Sequence, residues 1–172
     1  MKKGFTMIEL IFVIVILGIL ASVAIPRLAG TREDAEISAA VANLRTLLSD
    51  AASYYVVKGS FDGSKWTEIT SVPLKKDANG NAVDNTVAAT TAAYLKVGDV
   101  NDCIGVAVVG KTANAPAHIK FTEKSGATGV CGKVLASKPV KAYIDSVVKG
   151  KADANNVSNA MAIGSNTSVY SN

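Results

Sequence analysis

The sequence predicts an α+β fold, in which a long N-terminal helix with a membrane-spanning first half and an amphipathic second half packs on a small antiparallel β-sheet. Three observations support this fold class. Residues 5–25 are almost entirely apolar, residues 26–58 carry an apolar stripe at helical spacing, and residues 59–172 alternate turn signals with short β-branched runs. A chain of 172 residues is long enough for one globular domain with a modest core, in addition to the apolar N-terminal segment.

Residues 5–25 form a candidate membrane span. Glu9 is the one charged residue of the run, and a helix of 21 residues at about 1.5 Å per residue reaches roughly 30 Å, the thickness of a bilayer core. Lys2 and Lys3 precede the run. The positive-inside rule therefore keeps the N-terminus in the cytoplasm and places the rest of the chain outside it.

An ordinary secretory signal peptide is the alternative for this segment, and it would release a soluble binding domain. A basic start, an apolar run and small residues at Ser22 and Ala24 are typical of such a signal. Two observations oppose it. An acid such as Glu9 costs about 2.5 to 3.5 kcal/mol at the centre of an inserted helix. The sequence after Pro26 also continues with helical periodicity instead of opening into a loop.

Residues 26–58 are predicted to continue the helix with one apolar face. The apolar positions recur every three or four residues, at Ile37, Val41, Leu44, Leu48, Ala51 and Tyr55. Gly59 directly follows Lys58 and is a helix stop signal. This half of the helix therefore has one face for a packed domain.

Residues 59–172, called the head below, read as turns and short strands. They open with the turn-rich "GSFDGSKW" and the polar loop "KKDANGNAVDN", while "TVAATTAA" is ambiguous between helix and strand. Three runs predict an antiparallel sheet: "CIGVAVVG", "HIKFTEK" and "VCGKVLA". The run "VKAYIDSVVKG" is compatible with a strand or a short helix. The Asn- and Ser-rich tail from Asp153 is expected to be loosely held.

The N-terminal pattern resembles that of type IV pilins and of the pseudopilins of type II secretion. The resemblance covers about residues 1–58 and rests on "KKGFTMIEL", the apolar run, "GILASVAIPRL" and the amphipathic helix. It implies a pilin-like fold and a leader, residues 1–4, that a prepilin peptidase removes after Gly4 to leave an N-methylated Phe5. It also implies that Glu9 is the glutamate on which assembly depends. The short leader is common among pseudopilins.

The function implied by the resemblance is structural. The chain would polymerise with itself, with helices in the core and heads outside, on an inner-membrane platform with minor pilins or pseudopilins. We favour a pseudopilin whose periplasmic pseudopilus drives protein export, and the alternative is a pilin of a surface fibre used for adhesion, twitching motility or DNA uptake. Both imply a single-pass precursor in the bacterial inner membrane with an extracytoplasmic head.

Physical chemistry gives Glu9 a partner in such a filament. After cleavage Phe5 carries a cationic amine, and we expect the Glu9 of a neighbouring subunit beside it in the apolar core, where attraction between charges is several-fold stronger than in water. Removing one partner of a buried pair costs about 3 to 5 kcal/mol. An acid that merely snorkels toward the membrane interface is the alternative.

The two cysteines, Cys103 and Cys131, predict a disulfide. An even cysteine count outside the cytoplasm is typical of a disulfide, and two cysteines allow one pairing. They lie in the first and third predicted strands, so that the bridge would tie the sheet together. A redox pair is disfavoured because their spacing is unlike Cys-x-x-Cys.

Catalysis and nucleic-acid binding find little support in the sequence. His118 is the single histidine, and strand alternation predicts it on a surface or edge position opposite Ile119. Neither Gly-x-Ser-x-Gly nor zinc-ligand spacing is present. Half of the net charge of +4 comes from Lys2 and Lys3, and aromatic residues make up 6% of the chain, which provides no strong basic patch or stacking platform.

Calcium is the one cofactor for which the sequence offers candidates. The polar loop presents oxygen donors at near-alternate positions, at Asp77, Asn79, Asn81 and Asp84. The match to an EF-hand is poor, because Ala82 and Ala88 occupy its glycine and bidentate-acid positions. Major pseudopilins carry a calcium site toward the C-terminus, so the resemblance makes "GDVND" and residues 153–159 further candidates.

Overall fold

The computed structural model describes residues 6–84, 87–148 and 157–163. The chain divides into an N-terminal unit up to Ala35 and a C-terminal unit from Glu36, and helix α1 (Met7–Lys58) contributes residues to both. The elements that follow are α2 (Trp66–Ile69), β1 (Leu74–Lys75), β2 (Ala93–Val97), β3 (Val100–Val109), β4 (His118–Glu123), α3 (Gly129–Ala136), α4 (Lys138–Ile144), β5 (Val147–Val148), β6 (Val157–Ser158) and β7 (Ala160–Ala162).

The long helix is confirmed. The helix continues through Pro26 and ends at Lys58. Gly59 then adopts φ +76°, and its N–H donates to the carbonyl of Tyr55 at 2.8 Å. A left-handed glycine after the last helical residue is a common helix cap, because glycine has no Cβ to clash in that conformation.

The buried stripe of α1 is displaced from the predicted one. The residues with at most 3% exposure are Ala40, Leu44, Leu47 and Ala51. The other four predicted positions are partly buried and flank this line, at Ile37, Val41, Leu48 and Tyr55. The apolar face of a domain-packed helix is more than about 100° wide. The helical spacing therefore predicted the correct apolar face of α1, but the most buried line of that face runs through Ala40 and Leu47, which the prediction did not include.

The main sheet is antiparallel and has the strand order β1-β2-β3-β4-β7. On its inward face Val106 pairs with Ala93 on one side and with Phe121 on the other. These inward residues share one core with the buried line of α1. Two of the three predicted sheet strands, "CIGVAVVG" and "HIKFTEK", are confirmed as parts of β3 and β4.

The strand prediction for "VCGKVLA" is wrong, since these residues form helix α3. Cys131, Val134 and Leu135 are its buried residues, and their spacing of three and four is helical. The ambiguous run "VKAYIDSVVKG" begins within α4, which carries Pro139 at its start, and continues into the short strand β5. The described part of "TVAATTAA" is a turn that leads into β2 at Ala93.

The expectation of a loosely held tail is wrong for residues 157–163. Strand β7 pairs with β4, and both Ala160 and Ile163 are buried. Ser146 anchors the strand, because its carbonyl accepts from the N–H of Ala160 at 2.9 Å and its hydroxyl lies 2.7 Å from the Ala160 carbonyl. Asp153, where the tail was expected to begin, lies outside the described residues.

Candidate functional site

The apolar half of α1 is uncovered in the single chain. The exposed fraction of its large apolar side chains ranges from 40% at Ile16 to 79% at Met7. The helix is long and apolar enough to cross a membrane. Since exposing this much apolar surface to water is unfavourable, the segment requires an apolar environment, either lipid or apolar helices of other chains.

Glu9 lies in the first turn of α1 and is held by Thr6. Its Oε2 accepts from the Thr6 N–H at 2.8 Å and from the Thr6 hydroxyl at 2.7 Å. In return, the Glu9 N–H donates to the Thr6 hydroxyl oxygen at 3.4 Å. This reciprocal pattern is a capping box, in which two otherwise unpaired N–H groups at the start of a helix find acceptors.

Thr6 is therefore a site residue that the sequence prediction missed. The signal was present in "TMIE", because a threonine followed three residues later by glutamate before an apolar run is the sequence pattern of a capping box. These hydrogen bonds satisfy the Glu9 carboxylate within its own chain. Because Thr6 directly follows Phe5, they also hold the carboxylate close to the predicted new N-terminus. Gly4 and Phe5 lie outside the described residues, so the predicted cleavage, methylation and pairing remain predictions.

The predicted disulfide between Cys103 and Cys131 is confirmed. The sulfur atoms are 2.03 Å apart, and both residues are fully buried. The bridge joins β3 to α3 rather than two strands of the sheet. It therefore attaches the helical segment after β4 to the centre of the sheet.

The predicted surface or edge position of His118 is wrong, because the residue is 4% exposed. It pairs with Val109 of β3 on one side and with Ala162 of β7 on the other. Strand β4 is therefore not an edge strand at His118. The ring Nδ1 lies 2.8 Å from the carbonyl oxygen of Pro116 and in the matching tautomer donates to it. This geometry is that of a packed core histidine.

The first calcium candidate, the loop from Asp77 to Asp84, is closed by hydrogen bonds between its own residues. The Asn81 side chain donates to Asp77 Oδ2 at 2.7 Å, and this bond holds the pKa of Asp77 below its usual range. Asn101, from "GDVND", donates to the Ala78 carbonyl at 3.2 Å, so two of the candidate stretches meet. No cluster of three or more His, Cys, Asp or Glu able to hold a metal occurs in the described part of the chain.

The calcium hypothesis is not tested by this geometry and stays a prediction. Asn79 and Asp84 belong to the same loop, and Asp84 takes part in an interaction of its own. Of the third candidate stretch, residues 153–156 lie outside the described part of the chain.

Residues 1–25 match the family model described as the prokaryotic N-terminal methylation motif. The N-terminal segment is therefore of the prepilin class, which confirms the resemblance inferred from "KKGFTMIEL". The match includes Gly4, Phe5 and Glu9, and it ends where the uncovered apolar run ends.

Particular relatives share this segment. The chain is 43% identical over 53 residues to the type II secretion system core protein G of Dickeya chrysanthemi, which is 31% of this chain and 35% of that protein. It is 48% identical over 46 residues to the core protein G of Aeromonas hydrophila, or 27% of this chain and 32% of that protein. A fimbrial protein of Neisseria meningitidis is 39% identical over 64 residues, or 37% of this chain and 38% of that protein.

The chain thus spans about a third of the length of the curated relatives that it matches, from 32% to 38% in these three. No solved structure gives a significant match.

Proposed function

We propose that this chain is the structural subunit of a type IV pilin-like filament, and specifically a type II secretion pseudopilin. The observation that carries the proposal is an uncovered apolar helix with a single acid tied into its first turn, in a segment that matches the methylation motif. The relatives named core protein G support the secretion branch. The role is mechanical, and the subunit itself catalyses no reaction.

The proposed life of the subunit has two stages. The precursor is inserted in the inner membrane with its head outside the cytoplasm, and the prepilin peptidase cuts after Gly4 before Phe5 is methylated. Subunits are then transferred at the assembly platform, with minor pseudopilins, into a periplasmic pseudopilus. The apolar half of α1 leaves lipid for the equally apolar filament core, so the transfer changes its environment little.

Glu9 sets the register of the proposed filament. In the membrane its carboxylate is satisfied by Thr6 of the same chain. In the filament the cationic amine of a neighbouring subunit's Phe5 becomes an additional partner of the Glu9 carboxylate. If neighbouring helices were offset along the filament core, this amine and this carboxylate would no longer meet. Breaking such a pair costs about 3 kcal/mol at the low end, which corresponds to about a hundredfold weaker addition of a subunit.

The test compares the chain carrying Glu9→Gln with the unsubstituted chain in the presence of the assembly machinery. We expect normal insertion and cleavage but at least a tenfold loss of sedimentable polymer, because glutamine keeps the shape and loses the charge. Asp62→Asn is the matched control, since it removes an exposed acid from the head. Polymer at the control level from Glu9→Gln would refute the role of the charge.

A surface type IV pilin is the second candidate function. The alignment with the Neisseria fimbrial protein covers 64 residues, more than the 53 aligned with the Dickeya secretion protein. A surface pilin predicts abundant long fibres that can be sheared from cells, whereas a pseudopilin predicts that export stops when the chain is deleted. The two outcomes distinguish the branches.

A further inference from the structure

The face of the main sheet that points away from the core has an unusual composition. Successive residues of a strand point to opposite faces, and the inward set, such as Leu95 and Phe121, shares the core with α1. The outward positions of β1, β2 and β4 include three lysines, and Tyr94 lies among them. We define the outer lysine face as Lys75, Tyr94, Lys96, Lys120 and Thr122 around Gly105.

The strand register brings these side chains together. Lys75 pairs with Tyr94, Tyr94 with Gly105, and Gly105 with Thr122, which gives one row across four strands. Directly opposed residues are about 5 Å apart, and residues two apart on one strand are about 7 Å apart. Lys96 lies two positions from this row on β2 and Lys120 two positions from it on β4, so the three lysines share one face of the sheet with Tyr94.

Gly105 leaves room for the ring of Tyr94 to lie across β3. It lies buried in the middle of the long strand β3, where glycine is otherwise unfavourable. A Cβ at this position would lie 3.3 Å from Tyr94 Cε1 and 3.2 Å from Thr122 Cβ. The tyrosine ring therefore extends across the backbone of β3 and is supported by it, while the residue stays half-exposed.

Two acids lie in the strands of this sheet. Asp102 of β3 forms an ion pair with Lys124, and Glu123 of β4 pairs in register with the inward-facing Ile104. The outward positions of β1, β2 and β4 hold Lys75, Lys96 and Lys120 and no carboxylate. In the parts of the chain that the structure describes, none of these three lysines forms an ion pair. The face therefore presents three lysines and a supported aromatic ring, which together complement a ligand that is both anionic and able to stack.

We propose that the outer lysine face binds an acidic polysaccharide. The apolar face of one sugar ring would lie on Tyr94 and the carboxylates of neighbouring sugars would contact the lysines. A single aromatic residue cannot stack successive bases, and the absence of arginine from this face removes the usual bidentate contact to phosphate, so both features favour sugars over nucleic acid. Because α1 packs on the opposite face, the proposal goes beyond filament formation and does not depend on it.

The test measures binding of the full-length chain in detergent micelles to immobilised polygalacturonate, with its fully methyl-esterified form as the uncharged control polymer. The variant is Lys75→Gln/Lys96→Gln/Lys120→Gln. The control variant is Lys111→Gln/Lys138→Gln/Lys141→Gln, which removes the same charge from exposed positions elsewhere. Tyr94→Leu tests stacking while it keeps an apolar side chain over Gly105, and the fluorescence of the buried Trp66 reports folding of every variant.

We expect binding to the acidic polymer only. The triple variant on the outer lysine face should bind about tenfold more weakly, as three exposed charge pairs predict, and Tyr94→Leu about fivefold more weakly. The control variant should lose less than threefold. The proposal is overturned if the methyl ester binds equally, if both triple variants lose the same affinity, or if no binding occurs. Tighter binding of single-stranded DNA with the same lysine dependence would overturn the assignment to sugars.

Discussion

Loss of the bridge between Cys103 and Cys131 should remove a large part of the stability of the head. The bridge closes a loop with a sequence separation of 28 residues. The loop-entropy relation gives about 3.6 kcal/mol at 25 °C for a loop of this length. A domain is stable by only about 5 to 15 kcal/mol, so the reduced protein should unfold under much milder conditions.

Urea unfolding of the full chain in a non-denaturing detergent measures this effect. The chain has one tryptophan, Trp66, which is 1% exposed and donates from Nε1 to the Thr91 carbonyl at 3.0 Å, so its emission reports the core of the C-terminal unit. Reduction should lower the midpoint by about 1.8 M at an m value of about 2 kcal/mol/M. Cys103→Ala/Cys131→Ala should lower it at least as much, because both residues are buried. A shift below about 0.5 M in both experiments would refute the reasoning.

Two further perturbations test local geometry. Gly132→Ala should cost about 1 to 3 kcal/mol of unfolding free energy, because its Cβ would lie 2.7 Å from the Ala127 carbonyl oxygen, whereas Gly110→Ala meets no atom within 4 Å and should be nearly neutral. Lys124 donates to Asp102 at 2.5 Å and lowers the pKa of that carboxyl. The pair therefore stabilises the fold above the ordinary aspartate pKa of about 4 and loses this effect as the pH falls below it. Acid titration of unfolding should show a smaller loss for Lys124→Gln than for the unsubstituted chain, and equal losses would contradict the assignment.

The features that follow from local pattern were predictable. The length of α1 follows from the apolar run of residues 5–25, the helical spacing after Pro26 and the stop at Gly59, and β3 and β4 contain the runs rich in β-branched and aromatic residues. The single possible cysteine pairing fixed the disulfide. For the helix and the two strands a local signal was enough, and for the disulfide the count of two cysteines was enough.

The features that depend on distant contacts were not predictable. His118 is buried because β7, more than 40 residues later in the chain, pairs along β4. The β-branched residues of "VCGKVLA" favour a strand, whereas the spacing of Cys131 and Val134 fits the helix α3 that the chain forms there. The capping box of Thr6 and Glu9 is the exception, because it is local and its pattern is present in "TMIE".

Intact-mass spectrometry of the chain purified from membranes tests the filament-subunit account most directly. A filament subunit should have the mass of residues 5–172 with one added methyl group and without the two hydrogens lost to the disulfide. An unmodified chain that keeps residues 1–4, or one that begins near Ile25 after removal of an ordinary signal peptide, would contradict it.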